Sequence, residues 1–228
     1  MKKIIIVLMV ALLIVPGCGN MNQTTSGGLI GGGAGAAVGA GLGALLGKGK
    51  GAAIGAAIGS AVGAGAGVLI GRKMDKKAEQ LEKELENAKV ETVTDVNGLE
   101  AIKITFESGL LFKTGKSDLS AASKNDLAKF ATSMKDMADT DITIYGHTDN
   151  TGSAQVNERL SLERAGAVKN YLKSLGIAES RMVSEGKSYN EPVADNSTEA
   201  GRAQNRRVEV YITANKNMIE QAEAGTLN

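Results

Sequence analysis

Ile142-Thr143-Ile144-Tyr145-Gly146-His147-Thr148-Asp149-Asn150-Thr151-Gly152 is the stretch on which the fold turns. Its first four residues have the alternating β-branched and aromatic character of a strand. A polar, glycine-bounded loop follows, and then a helix is predicted from about Val156 to Lys173, with Leu160, Ala167, Val168, Tyr171 and Leu172 as its apolar stripe. Gly176 stops that helix. A strand that delivers a polar loop straight into an amphipathic helix packs the helix back onto the sheet.

The neighbouring segments repeat this pattern. Upstream, Ile102, Ile104 and Phe106 predict a strand, and Ser120 to Asp136 a helix with Leu127, Phe130, Ala131 and Met134 inward. Downstream, Arg181 to Ser184 is a short strand and Val208-Glu209-Val210-Tyr211-Ile212 a last one. The order βαβαββ predicts an α+β domain over residues 96–214, with 215–228 as a tail.

Composition limits what such a chain can do. Its 228 residues allow one ordinary domain plus extra segments. The 26 Lys and Arg against 25 Asp and Glu leave a formal charge of +1, so no global field gathers nucleic acid. One Cys, one His and no Trp exclude an internal disulfide, a Cys/His zinc cluster and an aromatic platform for bases. No metal, cofactor or nucleic acid is expected.

Glycine is distributed unevenly: 18 of the 30 lie between Gly27 and Gly71. Every fourth residue from Gly31 to Gly71 is glycine, eleven in succession without a break. On a helix such a ladder lies along one face and forms a groove where a second helix can approach closely, as inside membranes. Residues 27–47 and 51–71 are both uncharged, and each would be about 31 Å long as a helix, close to one hydrocarbon thickness. Lys48-Gly49-Lys50 makes a polar turn between them. Residues 27–71 therefore read as a glycine-zipper helical hairpin, with a flexible Gly/Ala linker as the competing reading. Residues 72–95 read as a charged spacer helix with Ala78, Leu81, Leu85 and Ala88 along one side.

Ahead of the hairpin, Met1-Lys2-Lys3 and the aliphatic run Ile4 to Val15 have the form of a secretory signal peptide over residues 1–17. Val15-Pro16-Gly17-Cys18 resembles a bacterial lipobox, which implies lipidation at Cys18 and a linker over residues 18–26. A leader cut elsewhere would leave Cys18 a bystander. Gly19 follows where many inner-membrane lipoproteins carry Asp, so the resemblance favours the outer membrane.

Three segments carry a family resemblance: Gly146 to Gly152; Asn157-Glu158-Arg159-Leu160-Ser161-Leu162-Glu163-Arg164-Ala165; and Gly201-Arg202-Ala203-Gln204-Asn205-Arg206-Arg207-Val208-Glu209. In this order they resemble the OmpA-like peptidoglycan-binding domain, and the whole chain resembles OmpA-family outer-membrane lipoproteins. The resemblance implies that Asp149 and Arg164 make two charged contacts, with Thr148, Asn157 and Arg206 around them. Peptidoglycan, outer-membrane lipid and further copies of the chain, through the zipper, become the expected partners, with the C-terminal domain in the periplasm. Where many relatives have an acidic residue after the first-loop Phe, this chain has Phe112-Lys113-Thr114-Gly115.

The chemistry can be argued beside the resemblance. The diaminopimelate end of a stem peptide carries an ammonium and a carboxylate on one carbon, so its reader needs an anion and a cation a few ångströms apart. Asp149 past a strand end and Arg164 about two turns into the next helix could meet if the loop folds back. The amides of the Asn150 to Gln155 loop, near a helix start, also suit a carboxylate. Taken alone, Asp149 reads as a turn or cap residue and Arg164 as a surface charge. Lys113-Thr114-Gly115 and Ser184-Glu185-Gly186-Lys187 match fragments of penicillin-binding enzymes, but in reversed order and without a companion Ser-Asp-Asn motif. A binding module is expected, with no catalytic residues. Its first reading is a tether from outer membrane to cell wall. The alternative is a glycine-zipper assembly or pore that wall binding merely positions.

Overall fold

The computed structural model describes residues 62–107, 111, 112 and 115–227. The predicted signal peptide, Cys18 and the hairpin up to residue 61 lie outside the described residues. Five helices and five strands follow in the order α1 (Ala64–Glu84), β1 (Ala88–Thr94), β2 (Glu100–Glu107), α2 (Ala121–Ser133), β3 (Thr140–Gly146), α3 (Ala154–Ser174), β4 (Met182–Gly186), α4 (Glu199–Asn205), β5 (Arg207–Ala214) and α5 (Lys216–Glu223). The α+β expectation holds, with more elements at both ends than βαβαββ.

The sheet order is β1-β2-β5-β3-β4, antiparallel except for the β3 and β4 pair. Its register aligns Ile102, Ile212, Ile142 and Met182 in one row, with Ile104, Val210 and Ile144 in the next. All seven are buried. Because side chains alternate between faces, Lys103, Glu209 and Tyr211 project to the opposite, polar face. There Glu209 Oε1 accepts from Lys103 Nζ at 2.9 Å and Arg207 Nε at 2.8 Å, while Oε2 accepts from the Tyr211 hydroxyl at 2.9 Å. Burial opposes ionisation of Glu209, but the neighbouring cations prevail and hold its carboxyl at about 2.

Two domain limits differ from the sequence reading. The spacer expected at 72–95 is no spacer: α1 begins inside the glycine ladder and presents Ala66, Ile70, Met74, Ala78, Leu81 and the following Leu85 to the core, all buried. This stripe is too apolar to remain in water, and the sheet supplies its partner. Lys77 pins the helix from the side, donating to Ser133 O at 2.9 Å and to both Asp136 carboxylate oxygens. Gly67 and Gly71, the last ladder rungs, are buried. A Cβ on Gly71 would lie 2.5 Å from Glu100 Oε2. Residues 62–71 are thus built into the domain, and no described helix is long and apolar enough to cross a membrane.

The second half of the same segment is β1, joined to β2 by a tight hairpin. Asp95 Oδ1 accepts from the amides of Asn97 and Leu99, each at 2.8 Å, and Gly98 takes φ 76°. Asn97-Gly98 after an alternating run is a hairpin signal that the helix reading overrode. At the other end the expected tail carries α5, capped by Asn215 and burying Met218, Ile219 and Ala222. That apolar side packs against α1.

Candidate functional site

The site gathers at the end of β3. Beyond Gly146 the chain keeps pairing with both neighbouring segments: His147 N–H donates to Arg207 O and Thr148 N–H to Ser188 O, both at 2.9 Å. These bonds fix the backbone that presents Asp149. The carboxylate then organises its own loop, since Oδ1 accepts the Thr151 amide at 2.8 Å. Asn157, in the first turn of α3, donates through Nδ2 to Thr151 O at 2.9 Å and closes the loop onto the helix. Thr148, Asp149, Asn157 and Arg164 are all buried.

Close approach of α3 to the sheet makes this possible. A Cβ on Gly146 would sit 2.1 Å from Ser161 O, and one on Gly186 would sit 2.7 Å from the Leu162 amide nitrogen. The two glycines therefore admit the middle of α3 against the ends of β3 and β4. Arg164 lies one turn beyond that contact.

Asp149 has its ion pair with Arg206 rather than Arg164. Arg206, just past α4, donates through Nη1 to Asp149 Oδ2 at 2.7 Å and through Nη2 to Glu199 Oε1 at 2.9 Å. Burial resists the Asp149 charge, yet the hydrogen bonds from Arg206 and Thr151 outweigh it and leave the carboxyl below its ordinary range. Arg164 is held separately, with Nε donating to Lys116 O at 3.2 Å and the guanidinium carbon 5.3 Å from the Phe112 ring centre. Burial and the Arg206 charge depress its pKa, while the Asp149 charge works the other way. Asp149 and Arg164 are close enough to influence each other without forming an ion pair. The arrangement is two guanidinium groups with the buried Asp149 carboxylate and the exposed Glu199 carboxylate around a buried wall. Thr148 Oγ1 in that wall has no hydrogen-bond partner among the described residues.

All five predicted binding residues thus come to one place, with roles redistributed. The loop amides suggested for a carboxylate are partly used: Thr151 N–H is bound by Asp149, and Asn150 N–H makes a long contact of 3.4 Å to Asn196 Oδ1. Glu199, Phe112 and the Lys116 carbonyl were not anticipated. Nor was the staple formed by buried Asn205, which accepts the Val193 and Ala194 amides and donates to Ala194 O and Asn196 Oδ1. Gly201 completes it, since a Cβ there would meet Asp195 O at 2.0 Å. Asn205 and Gly201 stand in the third quoted segment, but nothing local reveals whom they touch.

His147 is structural. It is 1% exposed, 3.7 Å from Glu209 Oε2, and its pKa is pushed down to about 3 by burial and by Arg207. A neutral imidazole there neither shuttles protons at ordinary pH nor forms part of a triad. No group of three or more metal-ligating side chains occurs among the described residues. A cavity of about 630 Å³ opens on the polar face of the sheet, lined by Lys103, Thr105, Glu107, Gln204, Arg207 and Glu209 among others, and includes none of the five site residues. Its Lys103 and Arg207 are already spent on Glu209.

Residues 111–206 match the model of the OmpA family, and residues 1–75 that of the YMGG-like Gly-zipper. Outer membrane protein Omp38 of Acinetobacter baumannii is 39% identical over 119 residues, which are 52% of this chain and 33% of that protein. Peptidoglycan-binding protein ArfA of Mycobacterium tuberculosis is 37% identical over 112 residues, 49% of this chain and 34% of that one. The matched region is thus about a third of either relative. Among solved structures, the cell wall anchor of the T6SS from Pseudomonas aeruginosa is similar with a TM-score of 0.52 and 26% identity, over 62% of this chain and 96% of that one. The names of these similar proteins describe an outer membrane protein, a peptidoglycan-binding protein and a cell wall anchor. The chain thus combines a segment similar to the YMGG-like Gly-zipper with a domain similar to the OmpA family.

Proposed function

We propose that the domain binds peptidoglycan by the zwitterionic end of a stem peptide and so tethers the outer membrane to the cell wall without a covalent bond. Asp149 takes the ammonium and Arg164 the carboxylate of one diaminopimelate centre, with Thr148, Asn157 and Arg206 shaping the pocket. The observation that carries this reading is the buried placement of Asp149 and Arg164 within each other's electrostatic reach, unpaired with each other. A zwitterion fits between them because its ammonium can use the remaining lone pairs of a carboxylate already bonded to Arg206 and Thr151, and its carboxylate the terminal nitrogens of Arg164. The hydroxyl of Thr148 supplies one further polar contact. The names of Omp38, of ArfA and of the cell wall anchor support an envelope role.

Lipid on Cys18 holds the other end in the outer membrane, with the folded domain in the periplasm. Burial of Gly67 and Gly71 in the domain favours the tether over a zipper pore, because those rungs are no longer open to another helix. The test is titration of the detergent-purified chain with a diaminopimelate stem peptide and with its counterpart acetylated at the terminal amine. Acetylation should weaken binding at least tenfold; equal affinity would reject the site.

A further inference from the structure

Arg164 is held in an unusual way for a ligand-facing cation. Its guanidinium lies over the Phe112 ring, and its Nε is tied to the Lys116 carbonyl at 3.2 Å. Both partners stand between β2 and α2, where the described residues are anchored. Phe112 bridges to Leu119, Ser120 N–H donates to Leu111 O at 2.8 Å, and the Ser123 hydroxyl donates to Leu111 O at 3.0 Å. Phe112 is 4% exposed, so the ring is a fixed wall. With the Phe112 ring centre 5.3 Å from the guanidinium carbon and Nε bonded, the donors left to Arg164 are the two terminal nitrogens, which bond to no described residue. That leaves an end-on fork, a geometry suited to both oxygens of one carboxylate.

We propose that Phe112 is a positioning residue that aims Arg164 end-on, and that this makes the site select a free carboxylate over its carboxamide. The inference rests on the stem-peptide reading above and deepens it. The buried Phe112 ring confines the guanidinium from one side, and the Lys116 carbonyl restrains its rotation. A carboxamide offers one acceptor and an NH₂ that opposes the second Nη, so a rigid fork rejects it while a loosened one adapts. Lysine at position 164 would supply charge without the fork.

The experiment compares the full-length chain in detergent with its Phe112→Leu, Phe112→Met and Phe112→Tyr forms, titrated with a diaminopimelate stem peptide and with the same peptide amidated at the recognised carboxylate. The parent should prefer the free acid at least tenfold. Leu and Met, which keep apolar volume without a ring, should lose about three- to thirty-fold in affinity for the acid and little for the amide, and Tyr should restore the preference. A purely structural role would lower both affinities together. Independently of any variant, the Arg164 Nε–H resonance of the parent should be displaced by the ring current and remain so when peptide is added. A full preference retained by the Leu and Met forms, or an undisplaced resonance, overturns the positioning role and leaves the stem-peptide reading standing. A parent that binds neither peptide overturns both.

Discussion

Arg206 Nη1 donates to Asp149 Oδ2 at 2.7 Å across 57 positions of sequence, and this contact ties the segment after α4 to the loop after β3. The same guanidinium reaches Glu199, so Asp149 is held by a residue that is itself held. The pair fixes the Asp149 carboxylate at the end of β3, and Arg164 stands outside it, bonded instead to the Lys116 carbonyl.

Roles divided in this way separate the variants. Asp149→Ala and Arg164→Ala should each weaken stem-peptide binding by roughly 1.5 to 3 kcal/mol, about ten- to 150-fold. Their losses should not add, because a ligand freed at one end swings from the other. Arg206→Ala should change stability by less than about 1 kcal/mol, since its side chain is 32% exposed. It should nonetheless weaken binding. Calorimetric titration of the single and double variants decides, and strict additivity would count against a shared ligand.

Gly146→Ala should damage fold and binding together. Its new methyl would press on the Ser161 carbonyl, a backbone atom that cannot rotate away, so α3 must retreat and carry Arg164 with it. Overpacking of this kind destabilises by about 1 to 3 kcal/mol. Urea unfolding and peptide titration of the variant should both shift. Wild-type affinity in the Ala form would show that the site tolerates a displaced α3.

Stability should depend on pH through Glu100. Burial and the nearby Asp75 charge raise its pKa from 4.5 to about 7 in the folded chain. An acid whose folded pKa is raised adds no penalty below its unfolded value. As pH climbs from about 4.5 to about 7, the folded state must give up a proton it holds more tightly, and stability falls. Glu100→Gln removes that loss and should gain of order 1 kcal/mol above pH 7, discounted for partial exposure, with little change at pH 4.5. Melting temperatures of parent and variant across this range are the measurement. Parallel curves would mean that Glu100 titrates as it does in the unfolded chain.

Truncation tests the domain limits. A fragment of residues 96–214 lacks α1, β1 and α5, which strips the cover from β2 and leaves Ile102 and Ile104 short of partners. It should unfold at markedly lower urea than a fragment of residues 62–227, with a smaller urea dependence because less surface is buried. Coincident unfolding curves would restore α1 to the status of a spacer.

What sequence alone determined here is local. Alternation in Ile142 to Tyr145 and in Val208 to Ile212 was legible because side-chain period follows backbone geometry within a few residues. The α3 stripe was legible only in part: Val168 and Leu172 are buried, but Leu160, Ala167 and Tyr171 are half-buried and the face is completed by Asn157, Ser161, Arg164 and Ala165. The five residues that meet at the end of β3 stand in three segments with a recognisable order, which is why the sequence could group them. Tertiary structure decided the rest. That Asp149 pairs with Arg206 while Arg164 lies over the Phe112 ring depends on which loops meet at the end of β3, and no spacing encodes it. The stripe of Ala78, Leu81 and Leu85 reads equally well as a free spacer or as a packed helix, because amphipathicity states that a face needs a partner without naming one. Only the folded sheet, with β1 and β2 beneath α1, supplied that partner and turned the last rungs of the glycine ladder into part of the domain.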